Sequence, residues 1–284
     1  MPVLYGLSDG IHFLIYRLFG YRMGVVMQNL QIAFPEKSIN ERKKIARKFY
    51  RNLIDTSIET IKMLSASDEF LQKRVSGNWE VINHWHGSGR AVHVHMGHTF
   101  NWEWGNYIAG KKLLYKFLGV YMPVKNQALD RLFKKIRSRS GTVLLPATPT
   151  KDFVASFHPY RETQYLIGLA VDQSPGDASK AYWLNFFNKK TAFVTGPEKG
   201  ASAKNLPVFF CYITKPKRGY YDIVFTLAEE NPQSLKEGEL TVRLARYLEK
   251  VITHFPDMWL WSHRRWKREW KEEYRSLWVD DRIV

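Results

Sequence analysis

The sequence predicts one α/β domain: a mixed, mostly parallel sheet flanked by helices, with further helices at the N-terminus. Two observations lead to this prediction. From about residue 81 onward, short apolar runs alternate with helical patterns, which is typical of a largely parallel sheet. The chain also contains no internal repeat and no long polar linker, so its 284 residues favour one large domain over two small ones.

The first clear helices are expected between residues 25 and 63. Apolar side chains recur there at helical spacing, and Pro35 separates one helix from the next. Ser38 stands just before Glu41 and is the predicted N-cap of the second helix.

The preceding segment, residues 3–19, is apolar overall but is interrupted by Asp9, His12 and Arg17. It is shorter than the roughly 20 residues that a membrane-spanning helix needs, and it lacks the basic region and cleavage site of a signal peptide. Two interpretations are therefore open. The segment is either an amphipathic helix at a membrane interface or an ordinary helix that packs on the core.

The alternating patterns also locate the elements of the domain. Strands are predicted at residues 91–96, 117–122, 142–145, 165–171, 208–213 and 221–225. Helices are predicted at residues 101–108, 126–139, 152–158 and 240–254. Cys211 lies in an apolar strand, where we expect a buried, unreactive thiol, and a single cysteine permits no intrachain disulfide.

The chain is strongly basic, with a net charge of +16 at pH 7. A field of this sign attracts nucleic acid, an anionic membrane surface or an acidic carrier protein, and charge alone does not choose among them. Residues 256–268 alternate aromatic and basic side chains, a pattern that fits either single-stranded nucleic acid or a lipid headgroup layer.

His98 and Glu103 form the most promising catalytic pair in the sequence. About one such pair is expected by chance in a chain of this composition, so the spacing alone carries little weight. The two side chains lie about 140° apart on a helix and do not share a helical face. They converge if His98 ends a strand and Glu103 lies in the first turns of the next helix, for which Thr99 or Asn101 is the expected cap.

His93 and His95 alternate along the same strand and share one face, which raises the question of a metal site. A zinc site would need a third ligand, such as Asp172 or His158, but no recognised ligand spacing is present. A structural role is therefore preferred for both histidines, and we expect neither a metal nor another cofactor.

Two further segments are candidates for binding. Residues 126–139 predict a helix that carries several cations: Arg131, Lys134, Lys135, Arg137 and Arg139. This helix is either a solvated basic face or a clamp for phosphate or an anionic carrier. The residues from Asp172 to Gly176 follow a buried strand and form either a plain turn or a loop that lines a site.

The segment from His98 to Glu103 resembles the motif His-x-Gly-Asn-Trp-Glu of the lipid A late-acyltransferase branch of the lysophospholipid acyltransferase superfamily, with Phe100 in place of the glycine. One similar block precedes this motif and four follow it. These blocks are Tyr21 to Glu36, Lys125 to Gly141, Asp172-Gln173, Phe193 to Val208, and Pro256 to Lys267. Because the blocks occur in order over nearly the whole chain, they are far more specific than one spacing.

The resemblance implies a glycerol-phosphate-acyltransferase-like fold, with residues 1–70 as a membrane-associating helical segment packed on an acyltransferase core of residues 71–284. It implies transfer of a fatty acyl chain from acyl carrier protein, or a similar thioester donor, to a hydroxyl of a lipid A precursor or related glycolipid. The implied location is the cytoplasmic face of the bacterial inner membrane, at an anionic membrane surface.

The resemblance also implies roles for individual residues. His98 is the expected general base, and Glu103 is expected to hold its tautomer and stabilise the imidazolium. Arg137 is the candidate for contact with a phosphate or an oxyanion, with Arg139 as the alternative. Asn101 and Asp172 complete the set of candidate substrate-binding residues.

Three competing functions remain open at this stage. A nucleic-acid-binding protein without enzymatic activity would explain the charge, although no recognised nucleic-acid module is visible and no nucleic acid is expected. A non-catalytic relative, or a hydrolase with the same base, is the second alternative. A hydrolase would normally need a nucleophile elbow, and the sequence has no Gly-x-Ser-x-Gly. A different aminolipid or phospholipid acceptor is the third alternative.

Overall fold

The computed structural model describes residues 1–282, so the last two residues of the expected core segment lie outside the described residues. The helices are α1 (Pro2–Phe13), α2 (Met23–Ala33), α3 (Ile39–Lys62), α4 (Asp68–Gln72), α5 (Glu80–His86), α6 (Trp102–Lys112), α7 (Gln127–Ser138), α8 (Thr150–Phe157), α9 (Gly196–Ala203) and α10 (Glu239–His254). The strands are β1 (Val75–Gly77), β2 (Val92–Met96), β3 (Lys116–Tyr121), β4 (Val143–Pro146), β5 (Tyr165–Ala170), β6 (Tyr182–Phe186), β7 (Lys189–Phe193), β8 (Val208–Lys217) and β9 (Tyr220–Glu229).

The central sheet has seven strands in the order β1-β9-β8-β2-β5-β3-β4. Neighbouring strands are parallel except β8 and β9, which form an antiparallel pair. The fold-class prediction is therefore confirmed: one α/β domain with a mixed, mostly parallel sheet, helices around it and N-terminal helices. All six predicted strands are present, and β8 and β9 extend beyond their predicted ends to Lys217 and Glu229.

The hairpin formed by β6 and β7 was not predicted. Its strands pair antiparallel outside the main sheet. Phe187 and Asn188 form the turn with positive φ values of 51° and 57°. Two consecutive positive φ values match the type I′ turn, in which Asn-Gly and Asp-Gly are the preferred residues. Phe-Asn gives no such signal.

The N-cap prediction for α3 is confirmed. The Ser38 hydroxyl accepts a hydrogen bond from the Glu41 N–H at 3.3 Å, and the Glu41 carboxylate accepts from the Ser38 N–H at 2.8 Å. This reciprocal capping box satisfies two backbone donors that the start of a helix leaves free.

Helix α1 packs along α3 through its polar side. The buried Ser8 hydroxyl donates to Asp55 at 2.7 Å, and the Tyr5 hydroxyl donates to Glu59 at 2.7 Å. Asp55 is fully buried and also accepts from Arg218 Nη2 at 2.6 Å. A polar face turned toward the core is the inverse of an ordinary surface helix, whose apolar stripe faces inward.

Several apolar side chains of this segment consequently face outward. Exposed large apolar residues of α1 and the π-helical turn that follows it are Val3, Leu7, Phe13, Leu14, Leu18 and Phe19. Six exposed large apolar side chains within 17 residues are a concentration that an ordinary protein surface rarely shows.

Among residues 1–282, none of the helices combines the length and the hydropathy required to cross a membrane.

We expect Arg218→Met to lower the free energy of unfolding by about 3 kcal/mol, because the substitution leaves a buried carboxylate without its principal cation. Lys215 Nζ remains 3.6 Å from Asp55, and this second cation limits the loss. Urea denaturation of the full chain measures the difference. Arg275→Met, at an exposed position, is the matched control. Equal stability of the two variants would show that the buried ion pair does not hold α1 on α3.

Candidate active site

The candidate site lies where β2 and β5 end side by side. Met96 pairs with Ala170 in the parallel register of these strands, and His98 and Asp172 each follow two residues later. Gly97 permits their close approach, because a Cβ at this position would lie 2.9 Å from Leu248 and 3.1 Å from the Asp172 carboxylate. The carboxyl ends of parallel strands are the usual location of sites in open α/β sheets.

Asp172 is the carboxylate partner of His98. Its Oδ1 accepts a hydrogen bond from His98 Nδ1 at 2.5 Å, and its Oδ2 accepts from the His98 backbone N–H at 2.8 Å. Trp259 Nε1 donates to the same Oδ2 at 2.5 Å. Burial by itself raises the pKa of Asp172, but the charge of His98 and these three hydrogen bonds lower that pKa to about 2. The carboxyl group is therefore ionised at neutral pH.

The hydrogen bond from Nδ1 to Asp172 fixes the tautomer of His98. In the neutral imidazole, Nδ1 carries the proton and Nε2 carries the free electron pair. Nε2 lies 3.3 Å from the side-chain amide nitrogen of Gln173. The His98 side chain is 22% exposed, so the ring is not sealed from solvent.

Glu103 forms a different pair from the one that the spacing suggested. Its carboxylate accepts hydrogen bonds from Arg137 Nε at 2.9 Å and Arg137 Nη2 at 2.5 Å, and from Trp102 Nε1 at 3.1 Å. Among residues 1–282, no hydrogen bond joins Glu103 to His98. The contact expected between Glu103 and His98 is thus corrected. In the structure Asp172 contacts Nδ1, because β5, the neighbour of β2 in the sheet, ends beside His98.

Arg137 forms a bidentate pair with Glu103, and two of its donor atoms are occupied. Arg139 is used differently. Its guanidinium donates to the carbonyl oxygens of Met63 and Ala66, and so fastens the loop after α3. These contacts use Nη1 and Nη2, and the alternative assignment of Arg139 to phosphate or oxyanion contact stays a prediction.

Asn101 begins α6 and ties it to α3. Its side-chain oxygen accepts from the Trp104 N–H at 3.2 Å, which makes it the helix cap that the sequence offered as one of two options. Its amide donates to the buried Glu59 at 2.9 Å. Both polar ends of the fully buried side chain are occupied, so Asn101 fixes the start of the helix, and its assignment to substrate binding stays a prediction.

Phe100, the departure from the family motif, is a core residue. It is fully buried, and its ring centroid lies 5.8 Å from that of Phe49 and 5.7 Å from that of Trp102. The larger side chain thus fills the space between α3 and α6.

The closing segment supports the loop that carries Asp172. Trp259 contacts Asp172, and His263 Nε2 accepts from the Ser174 N–H at 3.1 Å. The Leu260 N–H donates to the His98 carbonyl oxygen at 3.1 Å. Burial lowers the pKa of His263 to about 4, so this imidazole is neutral and able to accept.

The burial of this segment corrects both interpretations of its aromatic pattern. Trp259, Trp261 and Trp266 lie in the hydrophobic core. Their rings are not available for stacking on nucleic acid bases or for contact with lipid headgroups. Sequence reasoning missed their role because alternation of aromatic and basic residues does not indicate which side chains face inward.

His93 and His95 are buried in the sheet, where His95 Nε2 lies 3.4 Å from His93 Nδ1. Burial lowers the pKa of His93 from 6.5 to about 4, and burial together with the neighbouring His93 holds the pKa of His95 well below its ordinary value. In the part of the chain that the structure describes, no group of three potential metal ligands comes together. Burial therefore accounts for the neutral state of both imidazoles.

We expect His93→Gln to weaken the acid sensitivity of the fold. An unfolded histidine takes up a proton below about pH 6.5, whereas folded His93 does so only near pH 4. As far as His93 is concerned, the free energy of unfolding is therefore highest above pH 6.5 and falls as the pH decreases from 6.5 toward 4. Removal of this group reduces that slope by up to about 1.4 kcal/mol per pH unit.

Urea denaturation at a series of pH values measures the slope, and the exposed His84→Gln serves as the control. Identical slopes for wild type and His93→Gln would refute the role assigned to burial of His93.

Comparison with known proteins places this geometry in context. A family profile described as bacterial lipid A biosynthesis acyltransferase matches residues 2–268. The chain is 26% identical to the lipid A biosynthesis lauroyltransferase of Escherichia coli K12, over 94% of this chain and 86% of that protein. It is 23% identical to the palmitoleoyltransferase of the same organism, over 94% and 85% of the two chains. A lipid A biosynthesis acyltransferase of Haemophilus influenzae is 25% identical, over 90% and 81%.

Proposed function

Since the chain belongs to the bacterial lipid A biosynthesis acyltransferase family, we propose that it transfers a fatty acyl chain from acyl carrier protein, or a similar thioester donor, to a hydroxyl of a lipid A precursor or related glycolipid. The observation that carries this proposal is the hydrogen bond between His98 and the buried Asp172 at the end of the sheet. The pair supplies a basic nitrogen on a partly exposed side chain, and acyl transfer to a hydroxyl requires such a base.

In the proposed mechanism, His98 is the general base. Its Nε2 takes the proton of the acceptor hydroxyl as the oxygen attacks the thioester carbon, and it returns that proton to the departing thiolate. Asp172 holds the proton on Nδ1 and stabilises the imidazolium that forms. The low pKa of Asp172 supports this role, because an ionised carboxylate stabilises a neighbouring cation.

We assign Glu103 an indirect role. Its bidentate contact holds the Arg137 guanidinium, whose side chain is 21% exposed beside the site. Burial lowers the pKa of Arg137, but the contact with Glu103 raises it above its ordinary value, so the cation is kept. Arg137 is the proposed contact for an anionic group of the acceptor lipid or for the developing oxyanion.

The proposed donor site is the exposed basic face of α7. Arg131, Lys134 and Lys135 are exposed on this helix, and they precede Arg137 by six, three and two residues. Cations in this position attract an acidic carrier protein and steer its thioester toward the base.

The proposed location is the cytoplasmic surface of the inner membrane, with residues 1–70 as the associating segment. The outward apolar residues of α1 and the adjoining π-helical turn support this, and Arg17 is exposed among them. Apolar side chains that enter the boundary of the bilayer, next to cations that attract anionic lipids, are typical of an interfacial helix.

We expect His98→Ala to abolish acyl transfer and Asp172→Asn to lower kcat by about 10³- to 10⁴-fold, because the amide no longer fixes the tautomer. The assay uses the purified full chain with acylated carrier protein and a lipid A precursor, and mass spectrometry quantifies the acylated product. Asp177→Asn, on the exposed loop five residues later, is the matched control. Wild-type kcat in Asp172→Asn would refute the assigned role of Asp172.

We expect Leu7→Glu to weaken binding to vesicles that contain phosphatidylglycerol by about tenfold or more, since the substitution removes an apolar side chain from the membrane contact. Co-sedimentation of the full chain with such vesicles measures the change. Leu227→Glu, at a similarly exposed leucine on β9, is the control. Equal binding by the two variants would exclude α1 as the membrane-facing surface.

A further inference from the structure

Gln173 contacts Nε2 of His98, the nitrogen proposed to act as the base. The side-chain amide nitrogen of Gln173 lies 3.3 Å from His98 Nε2. Among residues 1–282, this is the one side chain in hydrogen-bond contact with that nitrogen. Gln173 follows Asp172 directly, so a single short loop places the carboxylate on one ring nitrogen and the carboxamide on the other.

The contact implies a direction for the hydrogen bond. Because Nδ1 donates to Asp172, Nε2 is an acceptor in the resting enzyme, and the Gln173 amide N–H donates to it. This N–H therefore occupies the place that the acceptor hydroxyl must take when it gives its proton to Nε2. Once Nε2 is protonated, two N–H donors face each other, and the Gln173 amide requires another acceptor.

Neighbouring donors are already committed. The backbone N–H groups of His98, Thr99 and Phe100 donate to Asp172, Gly97 and Met258, at 2.8, 2.9 and 3.1 Å. The Ser174 N–H donates to His263. Arg137 uses its Nε and Nη2 on Glu103, so the anion contact proposed for it above falls to its remaining nitrogen, Nη1. The Gln173 amide differs from these groups, because protonation of His98 Nε2 during the reaction removes the acceptor of its hydrogen bond.

We infer that Gln173 supplies a hydrogen bond to the oxyanion of the tetrahedral intermediate. This inference rests on the proposed function. The acceptor O–H bond breaks and its proton passes to Nε2, the oxygen bonds to the thioester carbon, and the electron pair of the carbonyl bond moves to its oxygen. The Gln173 N–H donates to that oxygen. The carbonyl bond then re-forms, the carbon–sulfur bond breaks, and the thiolate takes the proton from Nε2.

Gln173→Met tests the inference, because methionine matches glutamine in length and lacks the donor. We expect kcat to fall by about 10²- to 10³-fold, the usual effect of removing one oxyanion donor. The KM values for acylated carrier protein and for the lipid acceptor remain near wild type, because the contact forms only with the intermediate. Gln173→Glu, which keeps the shape and loses the amide donor, is the second variant and is also expected to lose kcat.

Gln164→Met is the matched control. Gln164 is half-buried like Gln173, lies just before the same strand at its opposite end, and donates to the His86 carbonyl oxygen. Wild-type kcat in both Gln173 variants, or a raised KM with kcat unchanged, would overturn the inference. A wild-type chain that transfers no acyl group would instead refute the proposed function and the inference together, so the two failures are distinguishable.

Discussion

The hydrogen bonds of one buried carboxylate determine the arrangement of the candidate site. Asp172 is 2% exposed and accepts from the ring and backbone of His98 and from Trp259. An isolated buried carboxylate would tend to take up a proton, but three well-placed donors and a neighbouring imidazole keep it charged. That charge, in turn, sets the tautomer of His98 and leaves Nε2 free to act as a base. The basicity proposed for the site therefore depends on the contacts that keep Asp172 ionised.

Those contacts extend to the N-terminal helices. Trp259 and His263 belong to a segment that is hydrogen-bonded to α2. Asn29 of that helix donates to the carbonyl oxygens of Trp261 and His263 at 2.8 and 2.7 Å. Helix α3 contributes Glu59, which accepts from Asn101 at the start of α6. Family-like blocks that lie far apart in the sequence thus meet around one loop. The first 70 residues form part of the framework of the site as well as the proposed membrane-facing surface.

The sequence predicted the position of His98 at a strand end and the alternation of strands and helices, because apolar periodicity reports both. It did not identify the partner of His98, since that depends on strand order. Asp172 lies 74 positions away, and only the pairing of β2 with β5 brings it close. Glu103 was the nearer carboxylate in sequence, but Arg137 engages it. The sequence also did not show which side of α1 faces the core, because its polar residues pack on buried charges of α3 that periodicity does not reveal.

The tautomer of His98 tests the central claim most directly. Nitrogen-15 NMR of the imidazole rings, with His98 assigned by its loss in His98→Gln, reports which ring nitrogen carries the proton. We expect a hydrogen-bonded Nδ1 proton in the wild-type chain, its loss in Asp172→Asn and its retention in Glu103→Gln. A proton on Nε2 in the wild type, or loss of the Nδ1 signal in Glu103→Gln with retention in Asp172→Asn, would contradict that claim.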